Sequence, residues 1–160
     1  MAVSDRIAVM SAGEVVQEGT AEDLYHRPAT EFVAQFIGRV NLLAGRVVDA
    51  AGATVTVDVA GVRLRVFHTA PLRAGDVVRI VIRPEAIALA PDDPGSVGEV
   101  VGTIVTRTFL GEKVDYTVHA GAQPFLVTRY NPGPGAVLEE GQRVRLALSS
   151  EAMQILPVEE

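Results

Sequence analysis

One pattern occurs twice in this chain, and it limits the fold more than any other feature. Residues 72–89 and 138–155 align at a constant offset of 66, with six of 18 positions identical: Leu72/Leu138, Gly75/Gly141, Val78/Val144, Arg79/Arg145, Glu85/Glu151 and Ala86/Ala152. Upstream, Gly45-Arg-Val-Val answers to Gly102-Thr-Ile-Val at an offset of 57, and Val59-Ala-Gly61 to His119-Ala-Gly121 at an offset of 60. The offset then grows across Asn131-Pro-Gly-Pro-Gly135, which reads as an inserted loop. Any β-protein repeats short apolar strands, but shared Gly, Arg and Glu-Ala positions favour duplication over convergence. The expected units are two repeats, about 41–92 and 97–157, within a region spanning 41–160. Two similar modules point to binding or assembly rather than to one catalytic cleft.

Local signals fill in the elements. Val55, Val57 and Val59 alternate with Thr54, Thr56 and Asp58, then turn at Ala60-Gly61 into Leu64 and Val66, a hairpin pattern. Val77 to Ile82 reads as a strand ended by Pro84, which has no N–H for a ladder. Asp92-Asp-Pro-Gly95 is a turn and the expected seam between repeats. About five short strands per repeat with Gly-marked turns suit a small OB-like barrel. The fold class expected is mainly β: tandem OB-like barrels behind a short N-terminal α/β segment, 1–40. In that segment Ile7–Met10 and Val15–Gly19 read as strands around a Gly13 turn. Thr20 and Asp23 form a capping-box pattern for a helix from Ala21 to His26, stopped by Pro28. Thr30 caps a second helix, with Phe32, Val33, Phe36 and Ile37 expected on one buried face and Gly38 as its stop.

Composition excludes several functions. With 14 basic and 20 acidic residues the net charge is −6, and Lys113 is the only lysine. Nucleic-acid binding needs a basic patch, and none is visible, so oligonucleotides rank last among possible OB ligands. The chain has no cysteine, so disulfides, thiolate metal sites and Cys nucleophiles are absent, which fits a cytosolic protein. No apolar run approaches the ~20 residues that span a bilayer. His26, His68 and His119 lack metal-ligand spacing, and Gly133-Pro-Gly135 lacks the Lys of a phosphate loop. Asp92-Asp93 and Glu139-Glu140 sit in turns, where solvated acids are the default. No catalytic, cofactor or metal residue is therefore assigned. Arg83-Pro84-Glu85 has two readings: a strand end, or an exposed Arg83 and Glu85 offered to a partner.

The first 43 residues resemble the end of the ATPase domain of an ABC importer. Ser4-Asp5-Arg6-Ile7-Ala-Val-Met10, Gly13-Glu-Val-Val-Gln17, Gly19-Thr20, Leu24-Tyr25, Pro28, Phe32-Val33-Ala34, Phe36-Ile37-Gly38 and Asn41 carry the match. Ala21 departs from it, because the family usually has Pro there. Ile82-Arg83-Pro84-Glu85 resembles the main motif of the transport-associated OB modules of the same ATPases. Phe109-Leu110-Gly111 and Tyr116 look more like polyamine, ferric-iron and thiamine importers than sugar importers.

The resemblance implies a regulatory and dimerisation region on the cytoplasmic side of the cell membrane. Its partners would be a second copy of itself and, through an ATPase domain, the membrane permease subunits. ATP and Mg would belong to the parent protein, and no ATP hydrolysis is expected of this chain. Its Met1 suggests a truncated product or a mis-assigned start, with residues 1–20 mobile or swapped. Candidate contacts are Arg83, Glu85, Phe109, Leu110 and Tyr130. The alternative is a free-standing cytosolic oxyanion-binding double module using Ser149, Ser150, Arg79 and Arg145.

Overall fold

The structure, a computed structural model, describes residues 4–95, 100–156 and 158. The repeat boundaries expected at 97 and 157 lie outside the described residues. Strands β1 (Ile7–Ser11) and β2 (Glu14–Gly19) form a hairpin, followed by helices α1 (Ala21–His26) and α2 (Glu31–Ile37). Ala12 and Gly13 both have positive φ, 49° and 85°, which is the type I′ geometry that matches strand twist. Thr20 and Asp23 make the expected reciprocal capping box, and the Thr30 hydroxyl accepts from Val33 N.

Helix α2 buries a narrower face than expected. Val33 and Ala34 are buried, whereas Phe32 and Phe36 are exposed and stack on each other with centroids 5.8 Å apart. Ala34 packs with Val81 and Leu156. A methyl side chain there lets the helix approach the β-region closely. The two phenylalanines, one turn apart, are left on the outer flank.

Two five-stranded antiparallel sheets follow. The first repeat contributes β3 (Asn41–Asp49), β4 (Thr54–Val59), β5 (Val62–Phe67), β6 (Val77–Ile82) and β7 (Ile87–Pro91). The second contributes β8 (Val100–Phe109), β9 (Lys113–Ala120), β10 (Gln123–Tyr130), β11 (Arg143–Leu148) and β12 (Met153–Leu156). The sheet orders are β5-β4-β3-β6-β12 and β10-β9-β8-β11-β7. Each repeat therefore hands its last strand to the other's sheet. The registers are equivalent: Met153 faces Ile82 as Ile87 faces Leu148, and Ile155 faces Ile80 as Leu89 faces Leu146. A 3₁₀ turn at Pro84–Ala86 releases the chain from β6 for this crossing. One continuous core joins the two curled, OB-like half-barrels, built mostly of Val, Leu and Ile around Tyr116 and Phe125.

Repeat symmetry extends to irregular features. Both first strands carry a bulge, between Val47/Asp49 and between Ile104/Thr106. Gly75 N donates to Val47 O and Gly141 N to Ile104 O, each at 2.8 Å. The middle strands correct the sequence alignment. Val47 faces Val57 and Ile104 faces Val118, so the offset there is 61 and not 60. A slip of one residue exchanges the faces of a strand. At an offset of 61 buried Val59 matches buried Ala120, whereas at 60 it would match exposed His119. The true insertions are four residues between β8 and β9 and five between β10 and β11, as offsets of 57, 61 and 66 require.

Candidate interdomain joint and contact surface

Arg83 is buried, which corrects the reading of an exposed arginine offered to a partner. Its Nη1 donates to Ala34 O at 2.9 Å, Gly38 O at 3.1 Å and Arg39 O at 3.1 Å, and its Nη2 to Tyr25 O at 3.1 Å. The guanidinium also lies 4.3 Å from the Tyr25 ring centroid. The last carbonyls of a helix have no partner within it and carry the negative end of the dipole. Arg83 supplies donors and positive charge to the ends of both short helices, from the end of strand β6. Burial lowers its pKa, but a guanidinium stays charged at neutral pH. Its Nε has no hydrogen-bond partner among the described residues.

Further contacts tie the segment, and the start of β3 that follows it, to both half-barrels. Glu31 accepts from Arg79 Nε at 2.9 Å on the first. Arg39 pairs with Asp115 of β9, which also accepts from Thr128 Oγ1 at 2.6 Å. Burial pushes the Asp115 carboxyl up, but the Thr128 hydroxyl and Arg39 outweigh this and hold it below the usual carboxylate value. Asn41 donates to Leu126 O at 2.8 Å and accepts from Leu126 N at 2.7 Å, an edge-on backbone mimic against β10. Sequence reasoning singled out Arg83 but missed Arg39, Asp115 and this role for Asn41. Their partners lie up to 85 residues away, and no local pattern marks them.

Phe109, Leu110 and Tyr130 come together elsewhere. They sit at the tip of the β8–β9–β10 ribbon with exposures of 65%, 49% and 55%. Phe109 faces Val114, while Tyr130 faces Lys113, whose backbone carbonyl also accepts from Leu110 N. Adjacent rows of a ribbon point to opposite faces, so the tip is apolar on both sides. The four-residue insertion that distinguishes β8–β9 from β3–β4 builds this tip. Glu85 is exposed on the 3₁₀ turn. The suggested oxyanion set is not assembled: Arg79 is engaged by Glu31 and Arg145 by Asp92 at 3.0 Å. Among the described residues no group of three or more His, Cys, Asp or Glu could hold a metal, and no helix is long and apolar enough to cross a membrane.

Comparison with known proteins places this geometry. The family model of the TOBE domain matches residues 80–156. The spermidine/putrescine import ATP-binding protein PotA of Frankia alni is 41% identical over 173 residues, covering 98% of this chain and 37% of that protein. The Fe(3+) ions import ATP-binding protein FbpC 1 of Rhizobium meliloti is 33% identical over 156 residues, covering 98% of this chain and 42% of that protein. The chain thus spans roughly two fifths of the length of such relatives. Among solved structures, the cytoplasmic molybdate-binding protein ModG matches with a TM-score of 0.60 over 73% of this chain and 96% of that one. At 18% identity this likeness concerns the fold alone.

Proposed function

Because this chain belongs to the C-terminal, TOBE-containing part of the ABC importer ATPases of the polyamine and ferric-iron type, we propose that it is their regulatory and dimerisation region. The joint carries this reading. Arg83 and Arg39 fix an ATPase-like segment to both half-barrels at once, and Asn41 at the start of β3 ties the first half-barrel to β10 of the second, so displacement of the β-unit is passed to the segment without an intervening flexible linker. A permanent contact between two such units raises the effective concentration of the attached ATPase domains for each other. The apolar tip at Phe109, Leu110 and Tyr130 is the surface assigned to that contact. In this reading the chain works at the cytoplasmic face of the membrane, beside permease subunits it does not itself touch. It hydrolyses no ATP, because the phosphate-loop Lys and amides are not in its sequence.

The test is sedimentation equilibrium of the chain and of Phe109→Glu/Tyr130→Glu. A concentration-dependent dimer that becomes monomeric in the double variant supports the assignment. A parent monomer at every concentration, or a variant that still dimerises, removes it.

A further inference from the structure

We propose that the cleft between the two half-barrels is a binding site for a small organic dianion, a phosphomonoester or a polycarboxylate with an apolar body. The cleft has a volume of about 720 Å³ and is bounded by β5, by β7 and β11, and by the loop that leads into β12. It exists because the sheets exchange their last strands: the loop carrying Ser149 and Ser150 is brought against β5, where Phe67 N donates to Ser150 O at 2.9 Å. This site goes beyond the assembly role and does not depend on it.

Arg63 and Arg65 supply the charge. They are two residues apart on β5, so they share a face about 6.8 Å apart, and both are exposed on the cleft wall. Among the described residues neither guanidinium has a hydrogen-bond or ion-pair partner. Asp58, which faces Arg63 across the ladder, instead accepts from Gly61 N at 3.1 Å. Two unpaired guanidiniums in a chain of net charge −6 are a local positive centre with bidentate geometry for carboxylate or phosphate oxygens. Ser149 and Ser150, on the loop brought against β5, add hydroxyls to the lining, while Ala88 and Met153 give an apolar floor. The volume lies in the roughly 300–1,000 Å³ range of small-molecule sites. A bare tetrahedral oxyanion would reach the arginines but leave that floor uncovered.

The test is calorimetric titration of the chain with glucose 6-phosphate, AMP, citrate, inorganic phosphate and molybdate. Glucose 6-phosphate, AMP or citrate is expected to bind more tightly than inorganic phosphate and molybdate. A preference between the phosphomonoesters and citrate assigns the anionic group. Arg63→Ala/Arg65→Ala should weaken binding at least about tenfold, the loss of one charge-assisted contact or more. Both side chains are exposed, so this variant should keep its fold, and Arg73→Ala should bind like the parent. No organic dianion binding more tightly than phosphate, or unchanged affinity in the double variant, overturns the proposal.

Discussion

Replacing Arg83 by methionine keeps most of the side-chain volume but removes every donor that reaches Tyr25, Ala34, Gly38 and Arg39. Two terms oppose each other. Losing the buried charge relieves its desolvation, which is large enough to lower the pKa of the group. Four carbonyls at or just beyond the helix ends, however, lose a charged partner. Breaking a buried charged interaction from one side costs roughly 3–5 kcal/mol. We take about 3 kcal/mol as the expected destabilisation, because some carbonyls rehydrate. Lysine should recover part of this, since a single ammonium cannot span carbonyls of two helices. The assay is urea unfolding with amide exchange by mass spectrometry. Exchange should rise in residues 24–39, while the β8–β9 hairpin stays protected. An Arg83→Met variant within about 1 kcal/mol of the parent, or protection lost evenly over the chain, would refute the joint.

Other outcomes follow from single contacts. Asp115 has a folded pKa below its ordinary 3.8, so its contribution is present above that value and is lost as pH falls through the folded value; Asp115→Asn should flatten the acid limb of a stability–pH curve below about pH 4. In Gly102→Ala the new Cβ would sit 2.7 Å from the His119 carbonyl oxygen, which the ladder holds in place, so the urea midpoint should fall by the equivalent of about 1–3 kcal/mol. Tyr116→Phe strips the acceptor from Leu138 N, now bonded at 3.1 Å, and should cost roughly 1–3 kcal/mol in thermal unfolding.

What the sequence made legible was local. The capping box at Thr20, the N-cap at Thr30, the Ala60-Gly61 turn and the β6 strand ended by Pro84 each depend on residues within a few positions. The strand exchange was not legible, for a physical reason. Ile87–Pro91 and Met153–Leu156 carry the same apolar alternation and pair in the same register, so either could complete either sheet. The pattern is degenerate, and only the crossing after Pro84 breaks the tie. The slip in the middle strands arose because Ala-Gly occurs in both turns, but the second turn is Gly121-Ala122, one residue later. Neither reading of Arg83, as part of a strand end or as an exposed contact, foresaw its buried role, because its partners are carbonyls 44 to 58 residues upstream, which no side-chain pattern announces. Arg63 and Arg65 alternate with Leu64 and Val66 along a hairpin strand, which by itself marks no site; the cleft they line is completed by the loop brought over from the other repeat.

The most direct test of the central claim is the size and location of the native gene product, by immunoblot of fractionated cells with an antibody to the β-region. The account predicts a product of more than twice the 16.9 kDa of this chain, recovered with the membrane fraction through its permease partners. A product of 16.9 kDa that remains in the soluble fraction would contradict it.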